Sequence, residues 1–315
     1  MKMTQEKLPN ELRDPFKDGG FKSINKAISA SLHQVTDGMK GQRIVYPTKW
    51  PRLNKNLLGG LQPGKMYVIA GRPGVGKSAF SNQLIFDLLD KNQFKKLLVL
   101  YWSFEMPGYQ QILRAGAKGS NKQVSELLSV EQKLENSAYE AFKAEVLKYS
   151  HYPIYFNNVP RDMEFVKKSN LDVTNKYPDH TIINVFDHSR LILSSKDQEL
   201  QKLNEVSKGC MWMQAKLGTI NILLSQLNRN IEQEHRAKAQ YQPLLTDLFG
   251  GDSIGQDAHV VMMLQRPNDL YGITDKYCGE SPIGLLALHV EKNRDGLLGM
   301  IPYEAEMSTF TINER

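Results

Sequence analysis

A chain of 315 residues with 40 Lys and Arg against 34 Asp and Glu, a formal net charge of +6, has room for one large domain or two small ones around a sizeable core. Charged residues at 23% argue against wholesale disorder, and two cysteines, Cys210 and Cys278, are too few for a disulfide framework or a zinc cluster. No apolar run approaches the roughly 18 residues needed to cross a bilayer, and the polar start is no secretory signal, so the expectation is a soluble cytoplasmic protein with no membrane partner. The mild positive charge is compatible with a polyanionic partner without demanding one.

Residues 1–20 are polar, carry Pro9, Pro15, Gly19 and Gly20, and lack apolar periodicity, which predicts a flexible tail. From Phe21 to Met39 the apolar residues Ile24, Ala27, Ile28, Leu32 and Val35 recur at three- and four-residue spacing. This predicts an amphipathic helix ended by Gly38 and Gly41. Residues 21–41 would then be a helical N-terminal extension whose single apolar stripe must be covered by its own domain or by another chain. Over residues 42–315 short apolar runs alternate with helical stretches such as Ala79–Leu89 and Gln198–Leu217. The runs Met66–Ala70, Leu97–Trp102, Thr181–Phe186, Asn221–Leu227, His259–Leu264 and Leu285–Val290 are continuous rather than alternating. They predict buried strands of a mostly parallel sheet with helices on both faces, an α/β domain. Met300–Asn313 alternates and predicts an antiparallel strand or hairpin at one sheet edge.

The strongest local signal is Gly71-Arg72-Pro73-Gly74-Val75-Gly76-Lys77-Ser78, followed by Ala79. It fits GxxxxGK[ST] and stands between an apolar strand and a helix, the context a phosphate-binding P-loop requires. Glycines let the backbone wrap the phosphates with N–H groups facing inward, and the helix N-terminus adds partial positive charge. Lys77 would reach the β- and γ-phosphates, and Ser78 offers a hydroxyl to Mg²⁺. Residues 71–79 are thus the expected site for a nucleoside triphosphate.

Three strand ends could complete such a site. Asp187 closes the run Thr181–Phe186, where a carboxylate that directs Mg²⁺ belongs, although an Asp that merely ends a strand fits the same place. Asn184 inside that strand is unusual. Glu105 lies 28 residues past Lys77, just after the next apolar strand, where it could polarise the attacking water as general base. A Glu favoured only by a helix dipole is the other reading. Gln226, at the end of ILLSQ, could contact the γ-phosphate and pass its loss to the loop that follows, or be polar surface. Lys292 and Arg294, two residues apart in an extended segment, project to one side. They could clamp triphosphate charge in cis or across a subunit boundary, or form a solvated basic turn.

Taken in order, from about Phe21 to Ile312, these stretches resemble the C-terminal motor domain of DnaB-type replicative DNA helicases. GRPGVGKSAF is similar to that family's Walker A, WSFEM to its second motif, INVFDHSRLI to its Walker B strand, and SQLNR to its sensor string. Lys292-x-Arg294-x-Gly296 is similar to its trans-acting Lys and arginine finger. The resemblance implies catalytic roles for Lys77, Glu105, Asp187, Gln226, Lys292 and Arg294, with Ser78 and Asp187 at the metal. It also implies a RecA-like P-loop fold, a homohexameric ring, ATP and Mg²⁺ at subunit interfaces, and 5′→3′ translocation on single-stranded DNA. A primase or helicase loader would be a further partner, and the linker helix would dock on the neighbouring subunit. The segment from Asp247 to Ala258 resembles the family's DNA loop, so Arg229, Phe249, Gly250, Gly251 and Asp252 are the expected DNA-side residues. Phe249-Gly250 replaces an Arg-Glu pair usual in the family; backbone N–H groups could hold phosphates there and Phe249 could stack on a base. Asn184 and His188 also depart from the family's Walker B pattern, and the family's N-terminal collar is expected to be missing, a build that points to a phage-encoded member in a host cytoplasm. A RecA-like recombination or repair ATPase, or an ATP-assembled DNA-binding ring or loader without unwinding, are the alternatives.

Overall fold

The computed structural model describes residues 23–187, 192–194, 196 and 198–315. The tail expected at residues 1–20 and His188 therefore lie outside the described residues, as do Phe21 and Lys22. The chain divides into two units between Ile44 and Val45.

In the first unit α1 (Ile24–Met39) starts at Ser23, whose side chain accepts a hydrogen bond from the Lys26 N–H at 3.4 Å. Gly38 lies inside the last turn instead of ending it; Lys40 is the C-cap, and Gly41 follows with φ of +65°. The stripe residues Ile24, Ile28, Leu32 and Val35 are all exposed.

The second unit, Val45–Arg315, opens with the short α2 (Pro51–Asn56), whose Pro51 sits where a helix needs no N–H donor. The Glu314 carboxylate accepts from the Arg52 and Leu53 N–H groups at 2.9 and 3.0 Å, so the end of the chain caps this helix. Then follow β1 (Met66–Gly71), α3 (Lys77–Lys91), β2 (Leu97–Ser103), α4 (Gly108–Ser120), α5 (Val124–Leu128), α6 (Asn136–Lys148) and β3 (Ile154–Asn157). Next come α7 (Met163–Lys176), β4 (Thr181–Asp187), α8 (Glu199–Leu217), β5 (Ile220–Gln226), α9 (Gly251–Asp257), β6 (Val260–Gln265) and α10 (Pro267–Tyr271). The chain closes with β7 (Leu285–Asn293), β8 (Gly299–Glu306) and β9 (Thr311–Glu314).

The described strands form one sheet in the order β3-β2-β4-β5-β1-β6-β7-β8-β9. From β3 to β6 every neighbour is parallel. β7, β8 and β9 join antiparallel, so Leu285–Val290, although apolar and continuous, is not part of the parallel run. Its apolar character reflects burial on both faces, which direction does not alter. β3 escaped the sequence pattern because it is only four residues long and only half-buried at most positions.

Two cores explain the continuous apolar strands. Tyr67 and Ile69 of β1 join one cluster with Phe80, Leu84 and Ile85 of α3, while Met66, Val68 and Ala70 join the other with Leu203, Val206 and Cys210 of α8. β6 splits the same way, Met262 and Leu264 against Val261 and Met263. Each strand thus has to be apolar at every position. At an estimated ~25 cal/mol per Å² of buried apolar surface, these two clusters are the main stabilising term of the unit. Asn184 is the polar exception in β4. Its amide accepts from Trp102 Nε1 at 3.0 Å and Asn170 Nδ2 at 3.0 Å, and donates to Asn170 Oδ1 at 2.8 Å and Asn221 Oδ1 at 3.0 Å. It is fully satisfied, and it ties β2, β4, β5 and α7 together.

Candidate active site

β1 is flanked by β5 and β6, and its C-terminal end delivers the chain into the loop between Gly71 and α3. Ligands of open α/β sheets gather at such strand ends. Gly74 and Gly76 adopt φ of +76° and +105°, conformations that L side chains rarely take. A Cβ on Gly76 would also stand 2.7 Å from Met307 Cε. This backbone presents the first turn of α3 toward a cavity of about 330 Å³. Pro73, Gly74, Gly76, Lys77, Ser78 and Ala79 line the cavity together with Glu105, Asp187 and Gln226.

The structure thus brings together the P-loop and three strand-end residues that are remote in sequence. Glu105 is exposed on the turn after β2, Asp187 ends β4 and is almost fully buried, and Gln226 ends β5. Lys77 Nζ donates to the carbonyls of Gly71 at 2.9 Å and Arg72 at 3.1 Å, which folds the ammonium over the loop. Ser78 Oγ donates to Asp187 Oδ1 at 3.2 Å. Burial lowers Lys77 to about 8, against the opposing charges of Asp187 and Glu105. Burial pushes Asp187 up to about 6; the Ser78 hydrogen bond works against this and the Glu105 charge adds to it. A hydroxyl and a carboxylate oxygen at this spacing are hard ligands that suit Mg²⁺, which takes few protein ligands and relies on phosphate and water for the rest. Among the described residues no cluster of three or more His, Cys, Asp or Glu could hold a metal by itself.

Not every loop residue faces the cavity with its side chain. Arg72 turns away: its Nε donates to Glu232 at 2.6 Å and its Nη1 to the Leu227 carbonyl at 2.9 Å. Val75 and Ala79 are buried, so what they offer a ligand is backbone. The strand-end Gln226 is joined to the segment expected to meet DNA, since its carbonyl accepts from the Phe249 N–H at 2.9 Å. The adjacent Leu227 bridges Leu248, and its N–H reaches Gly71 O at 3.3 Å. Phe249 is half-buried against the α8-side core, which leaves less of its ring for base stacking than the sequence suggests. Gly250 takes φ of +71° ahead of α9, and Arg229 is exposed at the start of the turn after β5. Gly251 and Asp252 open α9.

Lys292 and Arg294 do share one side, for both donate to the Gln256 carbonyl, at 2.8 and 2.7 Å. Their place is the opposite end of the sheet. Lys292 pairs with Val261 and Asn293 with Val260, which in turn pairs with Tyr67 at the start of β1. From Tyr67 to Gly71 the strand climbs ~13 Å at ~3.3 Å per residue. The basic pair is thus turned away from its own chain's cradle, and the cis arrangement has no support. Lys292 lines a separate, open groove of about 950 Å³ with Gly250, Gln256 and Asp257.

Sequence reasoning missed four cavity residues: Arg114, Arg266, Met307 and Phe310. Arg114 lies on α4 with its guanidinium 4.8 Å from the Phe310 ring centroid. Burial lowers its pKa, and the charges of Asp187, Tyr101 and Glu105 work in the opposite direction. Arg266, which pairs with Asp269, directly follows β6, so the strand-end rule that found Glu105 and Gln226 reaches it too. Met307 and Phe310 come from the β8–β9 turn, and no local pattern signals their arrival over the P-loop.

Residues 46–312 match the family model of the DnaB-like helicase C terminal domain. Replicative DNA helicase DnaB of Mycoplasma pneumoniae is 29% identical over 272 residues, covering 82% of this chain and 55% of that protein. The same-named protein of Buchnera aphidicola is 26% identical over 297 residues, covering 90% of this chain and 59% of its own. The chain therefore spans little more than half the length of these curated relatives. Among solved structures, an ATPase domain superposes with a TM-score of 0.81 at 19% identity, over 94% of this chain and 99% of that one. A DnaB-like replicative helicase, described with its interactions with primase, does so with a TM-score of 0.79 at 18% identity, over 93% of this chain and 67% of that one. These neighbours agree with the α/β fold read from the strand pattern and with the RecA-like fold that the resemblance implies. With more than four fifths of its length under one family model and the P-loop, strand-end carboxylates and sheet order in place, the chain belongs to the DnaB-like helicase C-terminal domain family.

Proposed function

We propose that this chain is the ATP-driven motor of a replicative DNA helicase: a homo-oligomeric ring, hexameric as in the sequence expectation, that tracks 5′→3′ along single-stranded DNA and parts the duplex. The observation that carries this reading is the split of the site between two ends of the sheet. Cradle, Asp187, Glu105 and Gln226 stand at one end, whereas Lys292 and Arg294 stand at the other. A basic pair turned from its own cradle is suited to complete the cradle of a neighbouring copy, which makes hydrolysis a property of the interface.

The chain's residues then take these roles. The loop backbone and Lys77 hold the β- and γ-phosphates of ATP, and Ser78 and Asp187 hold Mg²⁺. When bound, Mg²⁺ offsets phosphate charge and orients the transferred group. Glu105 accepts a proton from the attacking water. Arg294 and Lys292 of the next copy stabilise the charge that develops on the leaving phosphates. Gln226 feels the γ-phosphate, and its carbonyl bond to the Phe249 N–H relays the change to the 247–252 segment, where backbone donors and Arg229 contact DNA. The exposed stripe of α1 docks on a second copy, and a primase or loader is a further partner.

Unwinding of forked DNA with 5′ or 3′ tails, with ATP turnover measured with and without single-stranded DNA, tests the reading. Strand separation that needs the 5′ tail and DNA-stimulated hydrolysis are expected. Hydrolysis with strand exchange but no unwinding would favour a recombination ATPase. ATP-dependent assembly on DNA without unwinding would favour a loader.

A further inference from the structure

Behind the P-loop, a buried amide pair connects the three elements that carry the site. Asn82 lies on α3, one turn past Ser78, and Gln111 lies on α4; both are buried. Asn82 Nδ2 donates to Gln111 Oε1 at 2.8 Å and to the Gln111 carbonyl at 3.1 Å, which fixes the Gln111 side chain with its amide nitrogen facing the site. Gln111 Nε2 then donates to Ser103 Oγ at 3.1 Å and to Asp187 Oδ2 at 3.5 Å. Ser103 in turn donates to the carbonyl of Met106, beside Glu105. The two N–H groups of one amide thus reach the strand end that leads to the general base and the carboxylate that faces Ser78.

We propose that Asn82 and Gln111 are positioning residues that set the Asp187 carboxylate and the Glu105 turn relative to the P-loop helix. This deepens the proposed ATPase reading and rests on it. With Ser78 on Oδ1 and Gln111 on Oδ2, both oxygens of Asp187 have a donor and the carboxylate plane is held. The contact to Oδ2 is the longer one, at the limit of hydrogen-bond range. Asn82 belongs to the same helix as Lys77 and Ser78, so the cradle and its metal-directing carboxylate are set by one rigid element. Packing alone needs no such pair: two leucines of similar volume would fill the α3–α4 contact without any buried polar group to satisfy.

That difference supplies the test. Wild type, Gln111→Leu and the double variant Asn82→Leu/Gln111→Leu are compared by thermal unfolding and by anisotropy of a fluorescent ATP analogue titrated with Mg²⁺. Gln111→Leu leaves the Asn82 amide buried without its side-chain acceptor and lowers the melting temperature; the double variant recovers most of that loss. Positioning predicts that the double variant nonetheless needs about 10- to 100-fold more Mg²⁺ for half-maximal analogue binding, the usual range for groups behind a metal ligand. A recovered melting temperature with a wild-type Mg²⁺ dependence would overturn the inference. Gln111→Met, which keeps the side-chain length, serves the same comparison if the double variant does not fold, and an unchanged Mg²⁺ requirement there is equally fatal. The wild-type arm separates the two levels, because a wild type without Mg²⁺-dependent nucleotide binding would remove the ATPase reading itself.

Discussion

Ser78 and Asp187, 109 residues apart in the chain, meet through a 3.2 Å hydrogen bond from the hydroxyl to Oδ1. One comes from the first turn of the P-loop helix and the other from the end of β4, and each is positioned by the sheet.

This pairing sets a pH dependence. Burial raises Asp187 to about 6 and lowers Lys77 to about 8, while the proposed site needs the carboxylate and the ammonium both charged. The kcat/KM for ATP, which reports free-enzyme groups, is expected to be bell-shaped with limbs near those two values. A flat profile between pH 5 and 9 would count against both assignments.

The same burial has a stability consequence with a definite sign. Because the folded pKa of Asp187 lies above its unfolded value, its contribution to stability is present below about 4 and is lost as pH rises through about 6. Asp187→Asn should therefore stabilise the free protein at pH 7.5 by about 1–3 kcal/mol, with the gain fading by pH 4, while nucleotide hydrolysis is lost. Urea unfolding at the two pH values checks this.

Glu105→Gln keeps the size of the side chain on the turn after β2 and removes its basicity. ATP analogue binding should stay within a few-fold of wild type while kcat falls by roughly 10²- to 10⁴-fold, the usual worth of a general base. Turnover that survives intact would take Glu105 out of that role.

Arg294 and Lys77 stand at opposite ends of the sheet, so a shared site needs two copies. Arg294→Ala and Lys77→Ala proteins should each be nearly inactive, yet mixtures should regain turnover wherever an intact cradle faces an intact finger. Mixtures without any recovery across a range of ratios would argue against the trans assignment. Mass photometry of the mixtures confirms that mixed oligomers form.

Asn184→Leu should cost about 2–4 kcal/mol in denaturant unfolding, because it takes the Asn184 partner from Trp102 Nε1 and Asn170 Oδ1 in a buried core, while Asn221 keeps its bonds to Thr219 and Cys210. Nucleotide affinity measured well below the unfolding midpoint should change little, since Asn184 is directed into the core on the α8 side, toward Asn170 and Asn221.

The P-loop was legible because it is contiguous: the phosphate cradle is built by neighbouring residues, so GRPGVGKS carries its own geometry. The strands on either side were legible because burial on both faces forces every position to be apolar. Glu105, Asp187 and Gln226 were legible as strand ends. Only the strand order β2-β4-β5-β1, however, turns three separate ends into one cavity wall. The direction of β7 was hidden, since a strand covered on both sides has the same apolar pattern in either direction. Arg114, Met307 and Phe310 were hidden for a different reason: helix α4 and the β8–β9 turn reach the cradle through packing across the sheet, and no spacing rule in a linear chain encodes that approach. Local chemistry, then, was written in the order of the residues, whereas the choice of which distant residues share a site, and which end of the sheet the basic pair occupies, was made only when two cores buried the strands side by side.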